Sequence, residues 1–161
     1  MGIASFGFDS DANRVANEVK LVKGNAVYLY AALRALAAWK PARFTVTVDG
    51  ERTEMTGFTV AVGNSQAYGG GMFILPQAEL DDGQLDVMLS KRAPKLTFLR
   101  ELPKVFKGAH VDSPYVEFLK GAHIDVASDR PFVIYADGDP IGATPATMRV
   151  QARCLRVIAP A

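Results

Sequence analysis

From residue 44 the chain alternates. Phe44, Val46 and Val48 fall on one face of an extended segment, and Thr45 and Thr47 on the other. Asp49-Gly50 follows, the dipeptide of a two-residue hairpin turn. Thr53 to Val62 reads as the returning strand, with Gly57 placed for a bulge. The first forty residues carry no such alternation and read as helical. Asp9-Ser10-Asp11 caps a helix from Ala12 to about Leu21, Lys23-Gly24-Asn25 breaks it, and Ala26 to Trp39 forms a second helix that stops at Lys40-Pro41.

Downstream the elements shorten. Gly63 to Gly71 is a glycine-rich loop, Phe73-Ile74-Leu75 a short apolar strand or edge closed by Pro76, and Leu85 to Leu89 a strand. Pro94 opens a helix over Lys95 to Phe106 with Leu96, Leu99, Leu102 and Phe106 on one side, and Pro103 kinks or splits it. Short strands are predicted at Tyr115–Leu119, Ala122–Val126, Phe132–Ala136, Thr147–Ala152 and Leu155–Ile158. Many short strands separated by Gly and Pro turns predict a mainly β fold with appended helices, an antiparallel β-sandwich. Residues 1–161 read as one domain, with no linker or repeat.

Composition narrows the classes. Of 161 residues 49% are apolar and 22% charged, enough to bury a core without cross-links. A net charge of +1, with no basic stripe interleaved with aromatics, gives no footprint for nucleic acid. The single cysteine, Cys154, sits in the apparent strand region near the end of the chain and reads as a buried structural thiol, and with no partner in the chain it fits a reducing cytoplasm. No apolar run reaches the roughly 18 residues of a membrane span. The opening Met1-Gly2-Ile3-Ala4-Ser5-Phe6-Gly7 has neither the basic nor the apolar region of a signal peptide and reads like the middle of a longer protein.

Three glycine-centred stretches could carry chemistry. Asn64-Ser65-Gln66-Ala67-Tyr68-Gly69-Gly70-Gly71-Met72 has glycines but no following Lys-Ser or Lys-Thr and no GxGxxG spacing, so a tight loop between strands is the simpler reading. Glu79, Asp81, Asp82 and Asp86 cluster around Gly83, and such carboxylates either bind a hard cation or form a solvated acidic turn. Asp137-Gly138-Asp139 places two carboxylates at a strand end, where one can accept a hydroxyl proton, although Asp-Gly is also an ordinary hairpin turn. His110 and His123 have no metal-ligand spacing to Cys154 or to any glutamate, and no nucleophile–base system can be assembled from them.

The order of these stretches is more specific than any one of them. Gly7-Phe8-Asp9, Gly63-Asn64, Gly69-Gly70-Gly71-Met72, Pro76, Ala78 with Asp82-Gly83-Gln84-Leu85-Asp86, Lys107-Gly108-Ala109-His110 and Asp137-Gly138-Asp139-Pro140 follow one another along nearly the whole chain. The set resembles the bacterial lipid kinases of the diacylglycerol kinase type, relatives of sphingosine kinases and more distantly of NAD kinases. The resemblance implies the C-terminal, lipid-side β-sandwich of a two-domain enzyme whose ATP-binding domain, with its Gly-Gly-Asp-Gly-Thr type motif, is absent from this chain. It implies transfer of the ATP γ-phosphoryl group to diacylglycerol, giving phosphatidic acid, in the cytoplasm at the inner face of the membrane. It implies that Asp139 is the proton acceptor. It also implies a structural Mg2+ held by the Asp82 side chain and the main-chain carbonyls of Glu79 and Gln84.

At position 139 the family commonly has Glu, so here the acceptor is one methylene shorter. Asp49-Gly50-Glu51 spells the family triplet literally but lies between two alternating strands and reads as a turn. The chain by itself is expected neither to bind ATP tightly nor to turn over. The expected partners are a lipid alcohol and a peripheral membrane surface, with a homodimer compatible and nucleic acid excluded. Two rival readings stand: a kinase for a sphingoid base or another lipid alcohol, and a non-catalytic β-sandwich that binds lipid or protein.

Overall fold

The computed structural model describes residues 1–18, 33–68 and 71–154. Nine strands join in one antiparallel sheet: β1 Ile3–Gly7, β2 Ala42–Val48, β3 Glu51–Gly63, β4 Leu85–Lys91, β5 Val116–Gly121, β6 His123–Ser128, β7 Val133–Ala136, β8 Asp139–Ala143 and β9 Ala146–Arg149. Helix α1 spans Phe8–Glu18, α2 is described over 33–38, and α3 spans Lys95–Glu101. The strand order is β8-β7-β1-β3-β2-β6-β9, and β4 bridges β3 and β5. The sheet wraps its core as the nearly closed, mainly β sandwich that the pattern of short strands predicts.

The long strand β3 makes this possible. Its first half, Glu51 to Gly57, pairs with β2, and its second half, from Gly57 on, pairs with β4 and β1. The exchange of partners falls at Gly57, where the register with β4 shifts. A Cβ on Gly57 would stand 2.1 Å from the Ser90 carbonyl oxygen, so only glycine lets β4 approach there. The hairpin at Asp49-Gly50 closes with φ of 48° and 93°, the left-handed pair that a twisted two-residue loop needs.

Alternation divides the sheet's two faces. Ala4, Phe6, Phe44, Val46, Phe58, Val60, Val62, Val87, Leu89, Ile124 and Val126 point into the main core, closed by Phe8 of α1, Phe98 of α3 and Trp39 just past α2. Behind β1, β3 and β4 a second cluster joins Ile3, Ala61 and Met88 to Ile74, Leu75 and Ala78. These three strands are thus buried on both faces.

The structure also corrects the sequence reading. β1 precedes the first helix, and α1 starts at Phe8 instead of Ala12. A strand buried on both faces shows no alternation, so Ile3–Gly7 carried no periodic signal. Phe73-Ile74-Leu75 is not a strand; the chain bends there after an isolated bridge between Tyr68 and Met72. The helix opened by Pro94 splits as expected, into α3 and a 3₁₀ segment over Leu102–Lys107 that carries Pro103. β8 is additional. Cys154 is exposed and outside any strand, because the last described strand ends at Arg149. The predicted strand Leu155–Ile158, the predicted break at Lys23-Gly24-Asn25 and the first half of the helix predicted over Ala26 to Trp39 lie outside the described residues.

Candidate functional site

The site is built where the start of β1 meets the turn between β7 and β8. β7 and β8 are joined by Asp137-Gly138, with φ of 52° and 102°, so the strand-end triplet is a hairpin turn followed by the first residue of β8. The Asp137 carboxylate accepts the Gly2 N–H at 2.8 Å and the Ile3 N–H at 3.0 Å. These two amides hold its pKa below the ordinary carboxylate value. A Cβ on Gly2 would stand 2.7 Å from Asp137 Oδ1 and 2.9 Å from Ser65 Oγ. The absence of a side chain there lets the turn, the start of β1 and the loop after β3 close on one another.

Asp139 behaves differently from Asp137. It opens β8, a strand exposed along its whole length, and its carboxylate makes no hydrogen bond or ion pair with any described residue. One aspartate of the triplet is committed to the backbone, and the other has no hydrogen-bond or ion-pair partner among the described residues. The decoy triplet is committed in the same way as Asp137. The Asp49 carboxylate accepts the N–H groups of Ala122 and His123 at 3.1 and 2.8 Å, and so staples a hairpin.

Asn64 connects the turn to the acidic loop. Its backbone N–H donates to the Gly2 carbonyl at 2.8 Å, and its Nδ2 donates to the Leu80 carbonyl at 3.0 Å. Gln66 Nε2 adds a bond to the Ala78 carbonyl at 3.2 Å. In the acidic loop Asp82 Oδ1 accepts the Gln84 N–H at 2.9 Å, and Lys120 Nζ stands 2.6 Å from Oδ2. The ammonium and then the amide hold the Asp82 carboxyl below the ordinary value. Asp86, paired in register with Lys120, is buried; its Oδ2 has no hydrogen bond and lies 3.8 Å from Lys120 Nζ. Burial pushes its pKa up. Glu79 is exposed, and its charge is felt at Asp86 and Lys120.

The donor set of this loop suits a hard cation: oxygen ligands, clustered negative charge, and a buried carboxylate oxygen that has an ion pair with Lys120 but no hydrogen bond. Among the described residues no three His, Cys, Asp or Glu side chains converge tightly enough to hold a metal by themselves. A cation there must therefore take main-chain carbonyls as ligands. No hydrogen bond or ion pair among the described residues joins Asp139 to this loop, and the link runs through Asn64, Gly2 and Asp137.

Two further groups hold positions that the sequence reading did not give them. Asp9 is not a cap; it sits in the first turn of α1, accepting from Thr59 Oγ1 and Tyr68 Oη, both at 3.2 Å. Burial raises its pKa, and the Tyr68 hydroxyl is pushed far up by burial and by the Asp9 charge. The Gly7-Phe8-Asp9 stretch and the lone tyrosine of the glycine-rich loop were the available signals. His110 is a clamp: buried at 2% exposure, it donates from Nε2 to the Ile74 carbonyl at 3.1 Å and fixes the loop carrying Pro76. Burial lowers its pKa, so it stays neutral at pH 7.

The family described as the YegS C-terminal NAD kinase beta sandwich-like domain matches residues 2–159. A diacylglycerol kinase of Mycobacterium tuberculosis (strain H37Rv) is 34% identical over 160 residues, which cover 98% of the chain and 51% of that protein. Sphingosine kinase 1 of Arabidopsis thaliana is 39% identical over 72 residues, 40% of the chain and 15% of that protein. The crystal structure of a diacylglycerol kinase from Bacillus anthracis superposes with a TM-score of 0.66 at 20% identity, covering 94% of the chain and 49% of that structure. The chain thus spans about half the length of the diacylglycerol kinases it matches.

Proposed function

The chain belongs to the family of YegS C-terminal NAD kinase β-sandwich-like domains, and from that premise we propose that it is the lipid-side half of an ATP-dependent lipid kinase acting on diacylglycerol. Asp139 takes the proton of the primary hydroxyl as that oxygen attacks the γ-phosphorus, and phosphatidic acid and ADP leave. The observation that carries this reading is the contrast within one turn: Asp137 is fastened by two backbone amides, and Asp139, next but one, has an exposed carboxylate with no partner among the described residues, at the head of β8. A rigid mount with a free acceptor is what general-base assistance needs. Positioning of ATP and neutralisation of its phosphates fall to the nucleotide-binding half.

In this reading Mg2+ is held by the Asp82 carboxylate and the main-chain carbonyls of Glu79 and Gln84. Bound there, it supplies the positive charge that ties the loop together. The cation would compete with Lys120, whose ammonium stands 2.6 Å from Asp82 Oδ2. Through Asn64 the loop then braces the strand ends that present Asp139. Magnesium is expected to raise the melting temperature of the chain above its value in chelator, and Asp82→Ala to abolish that increment. Calorimetric scans of both proteins with and without Mg2+ check this; if magnesium shifts neither, the site is not there.

The enzyme works from the cytoplasm against the inner membrane face, where lipid alcohols are presented; no helix among the described residues is long and apolar enough to cross a membrane. The 72-residue match to a sphingosine kinase favours a second reading, a sphingoid base as acceptor. A protein joining this chain to its nucleotide-binding half, assayed with diacylglycerol, sphingosine and ceramide, separates the two. Diacylglycerol is expected to give the highest kcat/KM. A preference for sphingosine would overturn the substrate assignment, and no transfer to any of the three would overturn the kinase reading.

A further inference from the structure

The chain that leaves β3 is fastened at both ends of β1. At the near end the Asn64 N–H donates to the Gly2 carbonyl at 2.8 Å. Ser65 Oγ stands beside the same Gly2, where a Cβ would come within 2.9 Å of it. At the far end Tyr68 Oη donates to Asp9 Oδ2 at 3.2 Å, two residues past Gly7, the last residue of β1. Asn64 to Tyr68 is therefore a strap along β1. Ile3 and Ser5, on the face that packs away from the main core, have no exposed surface, and Tyr68 packs on the cluster that holds Ile3.

The far anchor is rigidly mounted. Gly7 has a φ of 117°, and a Cβ there would stand 2.3 Å from the Phe58 carbonyl oxygen, so the chain turns into α1 hard against β3. The Gly7 N–H donates to Ser10 Oγ at 3.2 Å. Thr59 Oγ1 of β3 donates to Asp9 Oδ1 at 3.2 Å, which leaves Oδ2 for the strap. Burial and the Asp9 charge push the Tyr68 pKa far up, so its hydroxyl keeps its proton and remains a donor. Ser5 Oγ, buried without a hydrogen bond, lies beside the pair. The rest of the strap has little slack. Tyr68 and Met72 exchange two backbone hydrogen bonds, at 3.1 and 3.0 Å, and the Leu75 N–H donates to the Gln66 carbonyl at 3.1 Å.

The near anchor belongs to the acceptor turn. Gly2, which Asn64 holds, is the residue whose amide fastens the Asp137 carboxylate. A carboxylate taken out of water is costly unless its hydrogen bonds do something for the fold or the site, and the phosphoryl-transfer chemistry makes no use of Asp9. We propose that Asp9 and Tyr68 are positioning residues for phosphoryl transfer: their hydrogen bond draws the strap along β1, and the strap's near end fixes Gly2 and with it the Asp137-Gly138 turn that presents Asp139. The proposal rests on the lipid kinase reading. Asp9 acts only through Tyr68, since no hydrogen bond or ion pair among the described residues joins it to Asp137 or Asp139. Displacing a reacting group by about 1 Å costs up to about 10²-fold in rate, so a slack strap is felt in turnover.

The experiment has two arms. In the chain itself, Tyr68→Phe is expected to speed hydrogen exchange of the Ile3 and Asn64 amides by about tenfold, the worth of one hydrogen bond to a charged group. Amides of the β2–β6 ladder should be unaffected. Val126→Ala, in the main core, should do the reverse. In the protein joined to its nucleotide-binding half, Tyr68→Phe and Asp9→Ala should each lower kcat by about 10–100-fold and leave KM for ATP unchanged. The double variant should be no slower than the slower single one, because both break the same link. Asp9→Asn should restore most of the rate, since its Oδ1 still accepts from Thr59 and its Nδ2 can donate to the Tyr68 oxygen. Val126→Ala, less stable, should keep its kcat. Variants at the full rate of an active parent overturn the inference and leave the kinase reading standing. Exchange that quickens equally everywhere, or Asp9→Asn as slow as Asp9→Ala, also overturns it. A parent that transfers no phosphoryl group overturns the kinase reading, and the positioning role falls with it.

Discussion

Asp139→Asn, in a protein that joins this chain to its nucleotide-binding half, is expected to lower kcat by about 10²–10⁴-fold with little change in melting temperature. Asparagine keeps the volume of the side chain and its place at the head of β8, but it cannot take a proton. Stability should hold because the Asp139 carboxylate has no partner among the described residues to lose. Asp137→Asn supplies the contrast. It removes the charge that two backbone amides hold, so its first effect is on melting temperature. Because those amides depress the folded-state pKa of Asp137, its contribution is present above the unfolded carboxylate pKa, about 3.9, and fades as pH falls through the lowered folded value. Steady-state kinetics and calorimetry of the two variants therefore separate along different axes. A kcat for Asp139→Asn within a few-fold of the parent would remove this residue from the chemistry.

Phe58→Ala is expected to cost about 3–5 kcal/mol, which for a domain of this size lowers the melting temperature by roughly 6–20 °C. Phe58 is 1% exposed and joins the sheet to all three helices. Its ring stacks on Phe98 of α3 at 4.0 Å between centroids and on Trp39, just past α2, at 6.2 Å, and it meets the edge of Phe8 of α1 at 6.2 Å. Truncation opens a cavity beneath all three, and rigid sheet backbone on the other side prevents its collapse. Thr59, the next residue, holds Asp9, and the same strand runs on to Asn64, so a loosened β3 also loosens the site. Chemical denaturation checks the magnitude. A loss below about 1 kcal/mol would mean that this aromatic cluster contributes far less than its burial implies.

What could be read ahead of the structure was local. The β2–β3 hairpin followed from alternation and from Asp49-Gly50, because a two-residue turn with left-handed dihedrals is specified by those two residues alone. The bulge at Gly57 and the split of the third helix at Pro103 were legible for the same reason, as each depends on the backbone freedom of one residue. β1 was hidden because burial on both faces erases the period of two. β8 was hidden because Asp139-Pro140-Ile141-Gly142-Ala143 is exposed throughout and patterned like a loop. Cys154 was misplaced because apolar neighbours suggested a strand that the chain does not continue to it.

The acidic loop and the Asp137-Gly138-Asp139 turn were picked out from residue order, and their candidate roles came with the family resemblance. Sequence alone determined which residues could be the proton acceptor and the metal loop. Spacing alone does not separate Asp137 from Asp139, since both are aspartates flanking one glycine; the family resemblance gave the acceptor role to Asp139. The tertiary structure decided their surroundings: Gly2, 135 residues away in the chain, brings its amide to Asp137 and not to Asp139. It also turned Asp9 inward onto Thr59 and Tyr68. Turn chemistry is set by one or two residues. The environment of a charge is set by whatever the fold brings beside it, and that is long-range.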